Sequence, residues 1–402
     1  MLWVIHIQKN NTKNTHLQDI CQRTSRKDYN INSMKYDYLI VGSGLFGATF
    51  ANLARQSGKT CLVLEKRKHI SGNCYTDKIQ GINVHVYGPH IFHTSNKEIW
   101  DYVNKFATFN SYINRPKVRY KDNIYSFPIN LFTLYQLWGC KTPAEAELKL
   151  KDVKLNIPNP TNLEEWVLSQ VGEEIYEKFI KGYTTKQWGR DPKELPSFII
   201  KRLPIRLTYD DNYYNDPYQG VPIGGYTQMI KNMFGDTPIE TGVDFLTDIE
   251  YWSNKADKVV YTGAIDELFN YDRGELEYRS LRFDISEVFT SDYQGNAIVN
   301  YTEQSIPFTR IIEHKHFEQT KSDTTIITRE YPQDWNRSLE KYYPVNNVKN
   351  TELHKHYKSE CEKTFPNMIL GGRLACYQYF DMHQVIGQAM HIWGQVSNQH
   401  GA

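Results

Sequence analysis

A mixed α/β fold, with an inserted helical lobe and an antiparallel β-sheet domain, is what this sequence predicts, and three observations carry the prediction. A glycine-rich turn joins an apolar strand to a helix at Gly42, a helical stretch follows in the middle of the chain, and strand-like alternation runs from about Leu276 to Arg329. With 402 residues and 40% hydrophobic content, the chain can bury a sizeable core and divide into lobes.

Taken in order, Tyr38-Leu-Ile-Val41 reads as a buried parallel strand. Gly42 lets the chain turn sharply, Gly44 lets the backbone approach a pyrophosphate at the following helix N-terminus, and Gly47 lets that helix pack closely on the strand. The helix continues through Ala48, Phe50, Ala51 and Ala54, and a second apolar strand, Leu62-Val-Leu-Glu65, ends in an acid suited to a ribose hydroxyl. In this context the glycine pattern specifies a Rossmann-like dinucleotide site. The continuation Lys66-Arg67-Lys68-His69-Ile70-Ser71-Gly72-Asn73 resembles the loop that flavoprotein oxidoreductases and amine oxidases wrap over FAD, with Ser71 standing where the first glycine usually does. Serine can still supply a backbone amide, so FAD is expected rather than NAD. The expected cofactor residues here are Gly42, Gly44, Phe46, Gly47, Glu65, Lys66, Gly72 and Asn73.

Ile82, Val84 and Val86 alternate with polar partners, which predicts a strand leading into Gly88-Pro-His90-Ile-Phe-His93. Thr161-Asn-Leu-Glu164 has the form of a capping box opening a helix through Trp166, Val167, Val171, Ile175 and Phe179. Pro192, Pro196 and Pro204 punctuate a looped region, and the chain is expected to return to its first domain at Val259–Gly263 and Met368–Arg373. The division expected is therefore a discontinuous FAD-binding domain of 34–104 with 220–265 and 366–402, a mainly helical lobe of 105–205 with a mobile lid, and a sheet domain of 206–219 with 266–365. Residues 1–33 are polar and aperiodic, and read as a disordered extension.

A net charge of +1 offers no electrostatic reason for nucleic-acid or membrane binding. Six cysteines, Cys21, Cys61, Cys74, Cys140, Cys361 and Cys376, show no metal-ligand spacing, so no metal is expected and reduced thiols in a cytoplasmic protein are. No apolar stretch approaches a membrane span.

Twenty-nine tyrosines and eight tryptophans, beside recurring arginines, form the second signal. In Phe179-Ile-Lys-Gly-Tyr183-Thr-Thr-Lys-Gln-Trp188-Gly, glycines and polar residues break the helical pattern, which suits stacking surfaces exposed to a base or sugar. Arginine forks and tyrosine hydroxyls suit a diphosphate. These segments, together with Tyr87-Gly-Pro-His-Ile-Phe-His-Thr, Lys201-Arg-Leu-Pro-Ile-Arg, Asp211-Asn-Tyr-Tyr, Gly224-Gly-Tyr-Thr, Thr309-Arg-Ile-Ile-Glu-His-Lys and Gly371-Gly-Arg-Leu-Ala-Cys-Tyr-Gln-Tyr-Phe-Asp-Met-His, resemble the prokaryotic-type UDP-galactopyranose mutases in the family's order, from residue 34 to about 395.

The resemblance implies an isomerase that interconverts UDP-galactopyranose and UDP-galactofuranose through an adduct of the anomeric carbon with N5 of reduced FAD, supplying galactofuranose for surface polysaccharide. It also implies a homodimer. Carried over by position, Arg202 and Arg310 match the two diphosphate arginines, assisted by Tyr213, Tyr343 and Tyr379. Phe179, Tyr183, Trp188 and Asn300 match uridine and lid contacts, Asp381, His93 and Arg373 match groups about flavin and sugar, and Asn114 lies near the diphosphate. The segment Lys201-Arg202-Leu-Pro204 is the expected lid. Competing readings are an FAD-dependent amine oxidase or desaturase, which shares the dinucleotide motif, and a non-catalytic flavin-binding sugar-nucleotide sensor.

Overall fold

The computed structural model describes residues 35–201 and 203–398, so the expected extension 1–33, Cys21, Arg202 and residues 399–402 lie outside the described residues. Five parallel strands form one sheet, in the spatial order Met368–Leu370, Ala256–Tyr261, Tyr36–Val41, Cys61–Glu65, Ile239–Thr241. Parallel strands covered on both faces need near-continuous apolar runs. Their period-two alternation sends Tyr38, Ile40, Cys61, Val63 and Val260 to one side and Leu39, Leu62, Leu64, Val259 and Tyr261 to the other. Helices Leu45–Gln56, Tyr226–Phe234 and Met382–Asn398 cover the first side through Phe50, Ala51, Met229 and Trp393. Helix Val348–Thr364 covers the second through Tyr357 and Cys361.

The other large sheet has seven strands, ordered Tyr343–Pro344, Tyr278–Val288, Thr325–Asp334, Arg310–Glu313, Ile298–Tyr301, Lys117–Tyr120, Asn123–Ser126. All neighbours are antiparallel except Ile298–Tyr301 and Lys117–Tyr120, which run parallel. The stretch 105–205 thus contributes a hairpin to this sheet besides its helices. Val118 and Tyr125 of that hairpin join the helical core of Leu134, Val167, Val171 and Ile175, so one short element ties lobe to sheet.

Helix Leu163–Ile175 starts one residue later than the capping box predicts: Asn162, not Thr161, is the cap, accepting from Glu165 N at 2.9 Å. Glu165 reaches back to Thr161 N, while Glu164 is drawn off to accept from the Tyr176 hydroxyl. Asparagine is at least as good a cap as threonine, and the paired acid moves with it. The helix is kinked at Gly172 (φ +78°), where any Cβ would lie 2.4 Å from the Val153 carbonyl oxygen, and a π-helical turn, Tyr176–Lys181, delivers Phe179 to the site. Among the described residues no helix is long and apolar enough to cross a membrane.

Candidate active site

A cavity of about 890 Å³ is walled by residues of both large sheets and the helical lobe. At one end lies the glycine turn. Gly42 adopts φ +105°, and a Cβ there would sit 2.1 Å from Thr262 Oγ1, so only glycine allows Thr262 to donate to the Val41 carbonyl. A Cβ on Gly47 would lie 2.2 Å from the Gly42 carbonyl oxygen, and Gly47 itself is not part of the cavity wall. Gly44 differs: a Cβ there would meet no protein atom within 4 Å, so its open face belongs to whatever fills the cavity. It caps helix Leu45–Gln56, whose first intrahelical bond is Ala48 N to Gly44 O, leaving the first-turn amides for a pyrophosphate.

The rest of the cradle follows from local hydrogen bonding. Glu65 Oε2 accepts from Ser43 N and Ser43 Oγ, and Oε1 accepts from Arg67 N, which leaves one acceptor position for a ribose hydroxyl. Lys66 stands exposed at the rim, and Gly72 comes so near the turn that a Cβ would be 3.2 Å from Gly44 Cα. One expectation fails here: Ser71 adopts φ +83° and gives its amide to the Ser43 carbonyl, so it has none to offer a cofactor. The amide serves to dock the loop on the turn instead. Asn73 Oδ1 accepts from Arg67, which also pairs with Glu340 and lies over the Tyr87 ring. Phe46 packs where a Cβ on Gly371 would collide with its ring, and Arg373 lies 4.7 Å over Tyr379. The turn, the open face at Gly44 and the remaining acceptor on Glu65 fit a dinucleotide.

At the other end the second sheet sets three polar residues abreast. Asn300 is the cross-strand partner of Arg310, and Arg310 of Glu330. Arg310 Nη2 donates to Glu330 Oε1 at 2.8 Å, and Glu330 has no solvent exposure. Burial works against the guanidinium's charge, but Glu330 outweighs it and holds the pKa above its ordinary value. Arg310 Nε and Glu330 Oε2 are buried without partners. Around them stand Tyr183, whose hydroxyl burial pushes up to about 12, and Tyr343, pushed up in the same direction and stacked on Tyr379 at 5.5 Å. Both stay protonated and can donate. Trp188, Asn114 and Tyr213 line the same cavity, and the Asn114 carbonyl accepts from Tyr213 N.

Phe179 departs from the exposed stacking role expected of it. It is 2% exposed, edge-on to Tyr125 and parallel to Phe127, and belongs to the lobe core with only its remaining surface on the cavity. Gly182 beside it does not free the rings: its absent Cβ makes room for the Thr302 carbonyl oxygen at 2.2 Å. Lys186, unremarked in the sequence, donates to the carbonyls of Tyr301, Glu303, Ile306 and Phe308 at 2.7–2.9 Å. His93 and Asp381 complete the wall, with His93 Nδ1 2.6 Å from Asp216 Oδ2. Glu330, Lys186 and Asp216 are the missed residues; Lys186 alone carried a signal, lying inside the quoted aromatic motif.

A glycine-turn cradle opening into an arginine and tyrosine cluster defines a Rossmann-like nucleotide-binding enzyme with a second polar subsite. The family model for UDP-galactopyranose mutase matches residues 178–379, and that for NAD(P)-binding Rossmann-like domains matches 40–106. The chain is 38% identical to a dTDP-fucopyranose mutase of Escherichia coli, covering 88% of this chain and 96% of that one. It is 39% identical to a probable UDP-galactopyranose mutase of Klebsiella pneumoniae, covering 88% and 92%. The fold is similar to that of a reduced UDP-galactopyranose mutase, with TM-score 0.68 at 14% identity over 90% and 96% of the two chains. The chain belongs to the UDP-galactopyranose mutase family.

Proposed function

We propose that the protein interconverts UDP-galactopyranose and UDP-galactofuranose with FAD, active in its reduced state. The observation that carries the reading is the row Asn300, Arg310, Glu330 facing Tyr183, Tyr343 and Tyr379 in the same cavity as the Gly44 cradle. FAD would lie along Gly42, Gly44, Glu65 and Gly72, and when bound and reduced it supplies a nucleophilic N5 for the anomeric carbon. Arg310 would bind the diphosphate through its free donors and steady the charge that grows as the nucleotide departs. The protonated tyrosines add neutral donors without repelling that charge. Arg202 keeps its expected role as a second diphosphate arginine on a lid. The same reading has a cytoplasmic homodimer supplying galactofuranose for surface polysaccharide.

A second substrate deserves a place in the test because a relative at 38% identity carries the name dTDP-fucopyranose mutase. Purified protein is incubated with UDP-galactofuranose or dTDP-fucofuranose, under dithionite and then in air, and the pyranose products are counted. Turnover of the UDP sugar only with reductant is expected. A strong preference for the dTDP sugar transfers the proposal to that substrate, and oxygen uptake with an amine, or binding with no turnover of either sugar, overturns it.

A further inference from the structure

Apart from the diphosphate cluster, the cavity wall holds a second group whose organisation the proposed function leaves unused. His93 is central in the strand Phe92–Thr94, opposite Gln219 of Tyr218–Gly220. Its ring lies flat on Tyr214, with centroids 3.6 Å apart and planes 11° from parallel, while His383 packs edge-on at 5.1 Å. Asp216 Oδ2 sits 2.6 Å from Nδ1, and the Asp216 carbonyl accepts from Gln219 Nε2 at 2.7 Å. Stacking sets the plane of the imidazole and the carboxylate sets its rotation.

An ionised carboxylate can only accept, so Nδ1 must carry a proton and Nε2 is the acceptor of the neutral ring. Nε2 has no hydrogen-bond partner among the described residues, and His93, Tyr214, Asp216 and Asp381 all belong to the cavity wall. We propose that Asp216 is a positioning residue: it locks His93 as the Nδ1–H tautomer, keeps Nε2 available to the cavity as a proton acceptor, and compensates the imidazolium when a substrate hydroxyl hands over its proton. The substrate side of this proposal rests on the mutase reading. The proton leaves the hydroxyl whose oxygen closes the new ring as the Nε2–H bond forms, and returns to a ring oxygen as that oxygen's bond to the anomeric carbon breaks. No net proton is consumed, as an isomerisation requires.

The charged and titratable groups facing His93 are Asp216, Asp381, His383 and the Tyr214 hydroxyl. The test uses flavin-loaded enzyme labelled with ¹⁵N-histidine, with the His93 signals assigned by His93→Gln. Wild type should show the Nδ1–H tautomer, and Asp216→Asn, whose amide can donate as well as accept, should lose that single-tautomer signature. Turnover with reduced flavin should fall about tenfold or more through kcat while KM and FAD affinity hold. In the His93→Gln background, Asp216→Asn should add no further loss. An Nε2–H tautomer in wild type, an unchanged tautomer signature in Asp216→Asn, or an Asp216→Asn loss that persists without His93 overturns the proposal. If wild type converts no sugar nucleotide, the mutase reading fails, and the tautomer still decides whether Asp216 governs His93.

Discussion

Gly44→Val separates the cofactor's needs from those of the fold. Gly44 has φ −74° and ψ −173°, which any L residue can adopt, and a Cβ there touches no protein atom within 4 Å. Fewer unfolded conformations would stabilise the variant by ~0.5–1 kcal/mol, and a poorer helix cap would cost about the same, so the flavin-free protein should melt close to wild type. The cofactor fares differently, because the side chain occupies the approach to the first-turn amides. Hydrogen bonds to a charged group contribute about 1.5–3 kcal/mol each. Losing two should weaken FAD binding by roughly 10²–10⁴-fold. Gly47→Ala gives the opposite result: its Cβ would lie 2.2 Å from the Gly42 carbonyl oxygen and 3.1 Å from Ile40 Cγ2, and such overpacking costs about 1–3 kcal/mol of fold stability. Flavin-stripped protein is melted by circular dichroism, and FAD affinity is read from flavin fluorescence quenching. A Gly44→Val protein that holds FAD within threefold of wild type, or melts as low as Gly47→Ala, refutes the reasoning.

Four further outcomes are expected. Arg310→Ala should lose about 3–5 kcal/mol of stability because it strands a buried Glu330 carboxylate; Arg310→Ala with Glu330→Gln should recover the fold in a denaturant titration but not the turnover. Lys186→Met should weaken UDP binding by about tenfold, since four carbonyls lose charge-assisted donors, while calorimetry finds FAD binding unchanged. Burial pushes the His90 imidazole down to about 4 and that of His314 to about 3, so both are neutral, folded or unfolded, above about pH 6.5. Below that the unfolded chain takes up protons that the folded one refuses, so stability should fall with pH by about 1.4 kcal/mol per unit for each histidine until the folded values are reached; a urea midpoint unchanged from pH 7.5 to 5 contradicts this. Arg202→Ala should lower turnover by about 10²-fold with FAD binding intact, and Arg202→Lys should restore only part, because an ammonium lacks the fork.

What was legible in the sequence was local. The strand, glycine turn, helix and second strand occupy 30 residues; Gly47 answers to Gly42 and Ile40 within that span and Gly44 to the cavity, whereas the close neighbour of Gly42 is the distant Thr262. What escaped depends on pairing at a distance. Glu330 meets Arg310 only through the register of two strands, and nothing near residue 330 marks it as part of a site. The hairpin Lys117–Tyr120 and Asn123–Ser126 has strands of four residues, too short for a clear period, and finds its parallel neighbour about 180 residues downstream. Ser71 was located correctly and misjudged, because the acceptor for its amide, Ser43 O, lies across a loop closure. Phe179 was read as exposed from the glycines and polar residues that follow it in sequence, whereas the π-helical turn sets its ring against Tyr125 and Phe127.

Lys186 explains how the substrate end can act without assembling itself at each turnover. Helix Gly182–Trp188 carries Tyr183 and Trp188, whereas Asn300 and Arg310 flank the chain whose carbonyls at Tyr301, Glu303, Ile306 and Phe308 receive the Lys186 ammonium. Gly182 against the Thr302 carbonyl and Thr302 Oγ1 donating to the Lys178 carbonyl close the same seam. Two segments more than 100 residues apart are thereby held as one body, with Arg310 ionised and the tyrosines protonated before any ligand arrives. Donors already in place need no reorganisation when charge develops on a departing diphosphate, which is where fixed dipoles and charges lower a barrier most. Entry and exit of a nucleotide sugar must then be managed elsewhere. Under the proposed function that task falls to the segment carrying Arg202, which lies outside this clasped unit in sequence: a second arginine arriving with the ligand would complement a first that is fixed beforehand.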